Sequence, residues 1–447
     1  MKRPLRIACF VGCFPVVSET FILRQITGLL ELGHEVDIYA DARAEPGIPV
    51  QPEVEQYHLL ERTTFMDMPP EVAPWEMPVW PLMGETWLPG AVNSIPNWRR
   101  IAQAFPKFLR CAASQSRLTR QVLCRAEFGY QAASLSALHR LAILRTVSRR
   151  YDVLHAHFGP VANSFRFVRE LWHAPMVVSF HGYDFTMVPQ QQGHGIYKKL
   201  FTTADCVTAN SDYMGQKLQP LGCSPDKIRK LSYGIDLLKY PFRPRVLAGN
   251  EPVRIITIGR LVEKKGIDYV IRALGQIAQK HHHLRYDVIG DGPLRGQLQQ
   301  LVRELSLEGI VQFHGALEGK AVGALLDQAH LFVLASVTAQ DGDQEGTPVS
   351  LLEAQASGLP VISTHHSGIP EIVLNGKSGL LAPERNVNAL ADRLNYLVEH
   401  PELWPAFGRR GRENVEAHFI SATCIDDLVN IYTEVAEKYF AQFISCA

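Results

Sequence analysis

The stretch Glu345-Gly346-Thr347-Pro348-Val349-Ser350-Leu351-Leu352-Glu353 sets two carboxylates eight positions apart across the start of a helix. Thr347 suits an N-cap and Pro348 the first helical position, and Gly358, directly after Ala354-Gln355-Ala356-Ser357, supplies the stop. On that helix Val349 and Glu353 lie one turn apart, so Glu353 stacks under the turn that carries Glu345 and both carboxylates face one cleft. The turn Gly346-Thr347-Pro348-Val349 sits between them at a helix N-terminus, whose free amides favour an anion. An anion flanked by two hydroxyl-seeking carboxylates points to a sugar joined to a phosphate; the alternative is a pair of solvated surface charges.

Working outward, Leu331-Phe332-Val333-Leu334 and Pro360-Val361-Ile362 are short apolar runs of the buried parallel-strand kind, which puts the intervening loop at a strand's carboxyl end. Upstream, the strand Val253 to Ile258 delivers Gly259-Arg260-Leu261 and then Lys265-Gly266 before a helix near Ile267. Two cations at a helix N-terminus make a diphosphate clamp, against the plainer reading of an ordinary basic loop. Tyr286-Asp287-Val288-Ile289 ends at Gly290-Asp291-Gly292-Pro293, a turn whose glycines allow close approach by a ligand such as a nucleoside and whose proline starts the next helix. Asp341-Gly342-Asp343 has the DxD form of a divalent-cation site, but it reads as a loop and the cation work falls to Arg260 and Lys265, so no metal is expected.

The first half opens as βαβ: a strand from Leu5 to Val11, a helix from Ser18 to Leu32 stopped by Gly33, and a strand from Glu35 to Ala40. The loop from Gly12 to Thr20 joins strand end to helix start, where anions bind, though without GxGxxG. Alternation resumes with Asp152 to His157, then Met176 to Phe180 leading into His181-Gly182-Tyr183-Asp184, then Asp205 to Ser211. His157, His181, Asn210 and Ser211 would gather along one sheet edge, as binding groups do in open α/β sheets. The aperiodic Arg243 to Asn250 marks a linker, giving domains at 1–242 and 251–419, with a last helix near Ser421 to Phe443.

Between 46 and 98 the chain is rich in proline and carries Trp75, Trp80, Trp87 and Trp98, the mark of an aromatic insertion. Residues 99–150 then hold Arg99, Arg100, Lys107, Arg110, Arg117, Arg120, Arg125, Arg140, Arg145, Arg149 and Arg150 against Glu127, with helical spacing at Leu135, Leu138, Leu141 and Leu144. With the tryptophans, that patch is expected to rest on an anionic membrane surface; the alternative is a solvated helical face.

At 447 residues the chain calls for two domains, and its 45 Lys plus Arg balance 45 Asp plus Glu, so no global field argues for nucleic acid. Eight cysteines without a CxxC pair suggest a reducing cytoplasm. Leu5 to Val11 is too short for a signal peptide, and no apolar run reaches 18 residues, so no membrane span is expected.

Glu345, seven residues, Glu353, then Ala354, Gly358-Leu359-Pro360-Val361 and Ser367-Gly368-Ile369-Pro370-Glu371 resemble glycosyltransferase family 4, and Gly259-Arg260-Leu261 with Lys265-Gly266 matches that family's second motif. The resemblance spans nearly the whole chain, is weakest from about 42 to 150, and is nearest the exopolysaccharide group of colanic-acid and amylovoran enzymes. It implies the GT-B fold, two Rossmann-like domains with parallel sheets facing a central cleft, the first (1–242, insertion 42–150) for the acceptor and joined by the terminal helix 420–447, the second (251–419) for the donor. It implies a retaining transfer of a hexose from a nucleotide diphosphate sugar, UDP-linked such as UDP-galactose, to a lipid-diphosphate-linked oligosaccharide at the inner membrane face, with no cofactor. Arg260, Lys265, Glu345 and His181 would act at the reacting sugar and diphosphate. Gly346, Thr347, Pro348, Val349, Glu353, Gly290, Asp291, Gly292 and His314 would hold the nucleotide, with Gly12 and Ser18 in the phosphate loop, where relatives carry paired glycines and this chain has Gly12 alone. A phosphorylase or nucleotide-sugar epimerase of the same fold, or a non-catalytic sugar-nucleotide-binding scaffold, is the alternative.

Overall fold

A computed structural model describes residues 3–16, 19–44, 50–67 and 97–444, with backbone alone at 97–100 and 443–444. Ser18, the prolines from Pro69 to Pro96, Trp75, Trp80 and Trp87, and the side chain of Trp98 lie outside the described residues.

Among the described residues, thirteen strands form two sheets, each with its paired strands running parallel. The first holds β1 (Arg6–Phe14), β2 (Glu35–Arg43), β3 (Thr63–Phe65), β4 (Val153–His157), β5 (Met176–Ser179), β6 (Cys206–Ala209) and β7 (Ile228–Lys230), ordered β3-β2-β1-β4-β5-β6-β7. The second holds β8 (Val253–Ile258), β9 (Leu284–Ile289), β10 (Val311–Gly315), β11 (Leu331–Leu334), β12 (Val361–Thr364) and β13 (Gly379–Ala382), ordered β10-β9-β8-β11-β12-β13. β4, β5, β6, β11 and β12 are buried along their whole length, as strands are when helices cover both sheet faces. In both sheets the order reverses beside the first strand, at β1/β4 and at β8/β11, which is where open α/β sheets bind ligands. These are two Rossmann-like domains.

Helix signals in the second domain are local and strong. In the helix Ile267–Ile277, Ile267, Val270, Ile271, Leu274 and Ile277 are buried at the spacing of one helical face. Gly266 precedes it at φ +60, where a Cβ would fall 1.8 Å from the Ala335 carbonyl oxygen, so the clamp loop can dock on β11 only through glycine.

The terminal helix Ser421–Ile444 packs on the first domain. Ile425, Leu428, Val429 and Tyr432 join its core, and the Tyr432 hydroxyl meets His155 Nδ1 at 2.6 Å. Where the chain crosses between domains, Ile235 N–H donates to Phe419 at 2.7 Å and Ser421 N–H to Ile235 at 3.0 Å. The aperiodic stretch after Tyr240 is anchored rather than free: Arg245 is buried and donates to the carbonyls of Asp327 and Ser357.

The basic run needs correction as a single charged face. Arg140 is buried and grips Asp41 through two bonds of 2.8 and 3.0 Å, Arg149 pairs with Asp37, Arg117 lies 3.2 Å from Glu170, and Lys107 contacts His139. Leu135 stands at φ +67 as the cap of the helix Ser136–Leu144, while Leu138, Leu141 and Leu144 are buried as the spacing predicts.

Candidate active site

β8 ends in the Gly259-Arg260-Leu261 loop, held against the turn after β9 by Gly259 N–H to Ile289 and Leu261 N–H to Asp291, both 2.9 Å. Gly290 stands at φ +131, and a Cβ there would lie 2.0 Å from the Gly259 carbonyl oxygen; one at Gly292 would lie 2.6 Å from that of Leu261. The two glycines therefore admit a neighbouring loop and shape the segment that carries Arg260. Asp291 pairs with Arg295 at 2.7 Å, His314 meets Asp287 at 2.7 Å, and the following helix begins at Arg295 rather than Pro293.

Lys265 Nζ stands 3.0 Å from Glu345 Oε1, with both side chains nearly buried. Burial alone would raise the Glu345 carboxyl, but Lys265 and Lys264 outweigh it and hold it at about 2. Burial lowers Lys265, and Glu345 opposes that shift. Lys264 in turn binds Asp343 Oδ2 at 2.8 Å, and Asp343 N–H donates to Asp341 Oδ1 at 2.9 Å. The DxD-like loop is thus closed on a lysine, and among the described residues no group of three or more His, Cys, Asp or Glu could hold a metal ion.

The turn before the helix differs from its sequence reading. The helix runs Val349–Ala356 with Pro348 as its cap, one position later than expected, and the Thr347 hydroxyl is buried without a hydrogen-bond partner, packed towards Gly368. Pro348 has no N–H, so the amides of this turn are those of Gly346, Thr347 and Val349. Gly358 ends the helix at φ +84, with Leu359 N–H to Ala354 and Gly358 N–H to Gln355, the Schellman pattern. Glu345 N–H donates to His366 Nε2 at 3.1 Å, which leaves Nδ1 to donate to Glu384 Oε1 at 2.7 Å, while Glu384 Oε2 accepts from Thr338 N–H at 2.8 Å. One carboxylate and one imidazole so hold both ends of the 338–345 loop. Sequence reasoning missed both; His366 adjoins the Ser367-to-Glu371 motif, but Glu384 lies eighteen positions further on with no spacing signal.

The first domain faces this loop with neutral groups. His181 Nδ1 meets the Tyr233 hydroxyl at 2.8 Å and Nε2 meets His157 Nδ1 at 3.2 Å; His155 bridges Ser179 and Tyr432. Burial lowers all three imidazoles, His155 to about 3 and His157 and His181 well below the ordinary value, so they are uncharged at neutral pH. Asp184 accepts from the amides of Gly159, His181 and Gly182, which fixes the His181 turn; burial nevertheless raises it to about 6. Ser211 caps the helix Asp212–Leu218 by accepting from Met214 N–H. The Asn210 side-chain amide is buried with no aligned hydrogen bond, although the Tyr233 hydroxyl lies beside it.

The domains meet at these groups. A Cβ on Gly346 would fall 2.2 Å from the His181 carbonyl oxygen and 2.6 Å from Asn210 Nδ2, so the junction requires glycine. Glu371 accepts from the amides of Asp212 and Tyr213, each at 2.9 Å, and from Lys230 at 2.7 Å. Glu353, expected to share a cleft face with Glu345, is bound instead by Arg24 of the first domain at 2.9 Å. Glu19, at the start of the helix Thr20–Glu31, is a further buried carboxyl: burial raises it to about 8, with Arg260 opposing. Gly12, expected to open the loop, lies instead inside β1, which runs on to Phe14, beside Val161. Arg260, Lys265, Glu345, Gly346, Thr347 and His181 therefore converge at the junction, while Asp291 and His314 are satisfied within the second domain.

Residues 18–234 match the family model described as Glycosyl transferase 4-like domain, and residues 241–414 match Glycosyl transferases group 1. The chain is 33% identical over 422 residues to WcaL of Salmonella typhimurium, a glycosyltransferase assigned to colanic acid biosynthesis, covering 93% of this chain and 96% of that one. It is 32% identical over 395 residues to the amylovoran biosynthesis glycosyltransferase AmsK of Erwinia amylovora, covering 87% and 89%. Among solved structures it matches Anabaena HepE in complex with UDP and glucose with a TM-score of 0.65 at 14% identity, covering 96% of this chain and all of that one. With paired parallel Rossmann-like sheets, the GRL…KG motif and the two glutamates at their family spacing, the chain belongs to glycosyltransferase family 4 and is a GT-B glycosyltransferase.

Proposed function

We propose that the enzyme moves a hexose from a nucleotide diphosphate sugar, UDP-linked such as UDP-galactose, to a lipid-diphosphate-linked oligosaccharide in exopolysaccharide biosynthesis, with retention of anomeric configuration. The observation that carries this reading is the buried Lys265–Glu345 pair beside Arg260 at the β8/β11 switch point. The relatives assigned to colanic acid and amylovoran synthesis support the pathway class, and the UDP in HepE supports the donor.

Departure of the nucleoside diphosphate develops charge on its outer phosphate. Arg260, Lys265 and the amides of Gly346, Thr347 and Val349 are preorganised to take it in a water-poor junction, where one such donor is typically worth about 10²–10³ in rate. The acceptor oxygen bonds the anomeric carbon on the face the phosphate leaves, and the departing phosphate oxygen takes the acceptor's proton. Glu345 and Thr347 hold hydroxyls of the hexose, with His181 and Asn210 opposite, and Glu353 takes the ribose. Gly290, Asp291, Gly292 and His314 form the nucleoside side, and Gly12 with Ser18 the phosphate loop. Fixed cations do the work of a metal, and the carboxylate of Asp343 is committed to Lys264.

The enzyme is further proposed to act in the cytoplasm, resting on the inner membrane face. On the helix Asn97–Ser114, Ile101, Phe105, Phe108 and Leu109 are exposed one and two turns apart, and Arg110, Arg120 and Arg125 are exposed nearby in sequence. No helix among the described residues is long and apolar enough to cross a membrane. Flotation with anionic and neutral vesicles at low and high salt tests this: binding indifferent to lipid charge and salt removes it.

The decisive experiment incubates the enzyme with a panel of UDP- and GDP-sugars and membrane lipid extract. Nucleotide release that requires the extract is expected. Acceptor-independent conversion or orthophosphate-dependent release would favour an epimerase or phosphorylase, and binding without turnover a scaffold.

A further inference from the structure

Glu353 belongs to the second domain, yet its carboxylate is held from the first. Arg24, on the helix Thr20–Glu31, donates through Nη2 to Glu353 Oε1 at 2.9 Å and through Nη1 to the Gly234 carbonyl at 3.2 Å. Side-chain exposures of 18% and 15% put the pair in the interior of the junction. Burial works against the guanidinium charge, but Glu353 and the neighbouring Tyr240 hydroxyl outweigh it and make Arg24 more basic than usual. A guanidinium fixed at both ends of its fork is a rigid anchor, and it sets the carboxylate's orientation as well as its charge. A carboxylate has about four lone-pair sites. Arg24 and Tyr240 engage part of that capacity, and the remainder can accept from a vicinal diol.

We infer that Arg24 is a positioning residue for the nucleotide: from the acceptor domain it orients the Glu353 carboxylate that reads the ribose hydroxyls, so the donor site is complete only when the two domains stand together. This rests on the assignment of Glu353 to the ribose made above. It assigns a donor-recognition role to a residue of the domain that the family resemblance reserves for the acceptor.

The test measures calorimetric binding of UDP, GDP and their 2′,3′-dideoxy analogues to the full chain. The wild type is expected to bind one ribonucleotide and to bind its dideoxy analogue about tenfold or more weakly, because a site built to bond a hydroxyl penalises its loss. Arg24→Ala should weaken the ribonucleotide about tenfold and leave the dideoxy analogue unchanged, so that discrimination collapses. Arg24→Lys, which keeps the charge but not the fork, should fall between. Glu353→Ala should collapse discrimination in the same way, and adding Arg24→Ala to it should change nothing more. Should Arg24→Ala fail to fold, Arg24→Lys and Arg24→Gln carry the comparison. Equal weakening of both analogues, or full discrimination in the Arg24 variants, overturns the inference alone. A wild type that binds neither UDP nor GDP overturns the nucleotide reading of the site, and the inference falls with it.

Discussion

The second domain presents ions to the junction, and the first presents neutral hydrogen-bonding groups. On one side stand Arg260 and, paired within their own domain, Lys264 with Asp343 and Lys265 with Glu345. On the other stand His157, His181, Tyr233 and Asn210, with the imidazoles kept uncharged by burial. The difference follows from what each wall can stabilise. Fixed cations suit a diphosphate whose charge grows as the bond breaks, whereas neutral donors and acceptors suit sugar hydroxyls, whose charge does not change. Glu353 and Glu371 depart from this division, because each is a second-domain carboxylate answered by a first-domain donor.

The largest expected effect comes from breaking the ionic wall. Arg260→Ala and Lys265→Ala should each lower kcat by about 10²-fold or more, and Lys265→Ala should also lower the melting temperature, because it strips the buried Glu345 carboxylate of its partner. Near-wild-type kcat in both variants would remove the clamp. Glu353→Ala sharpens the contrast: it should raise the donor KM about tenfold with a smaller loss of kcat, since a ribose contact exists before and during reaction. A collapse of kcat at unchanged donor affinity would transfer Glu353 to the reacting centre.

The neutral wall is open to acid. His155 is depressed from 6.5 to about 3, and His157 and His181 lie well below 6.5, so at these three imidazoles the unfolded chain binds more protons than the folded one in that window. Glu19 and Asp184, raised to about 8 and about 6, act in the opposite sense. The stabilising effect of the imidazoles is therefore complete above pH 6.5 and is lost as pH falls towards 3, at about 1.4 kcal/mol per pH unit for each proton taken up on unfolding. Glu345, held at about 2, stays ionised throughout that range. Hydrogen exchange between pH 7.5 and 5 should show protection falling at β4 and β5 before β8 and β11; the reverse order would contradict the comparison. The smallest expected effect is none: turnover should survive excess EDTA, and loss restored by Mg²⁺ or Mn²⁺ would bring Asp341 and Asp343 back as ligands.

Much of the architecture was legible because its signals are local. Short apolar runs closed by glycine or polar residues mark β8 and β11 at their observed bounds, and the helix after the clamp begins at Ile267 as read. Arg260, Lys265 and Glu345 could be named because a strand end and a helix start put them on one edge. Other contacts had no such signal. The sequence by itself determined two parallel α/β units and the charged loop of the second. Tertiary structure alone decided that Arg24 meets Glu353 across 329 positions, that Tyr432 meets His155 across 277, and that Gly290 yields space to Gly259. The physical reason is that periodicity and punctuation act over a few residues of chain. Which carboxylate faces which cation depends on how two separately formed sheets dock, and spacing along the chain carries no record of that.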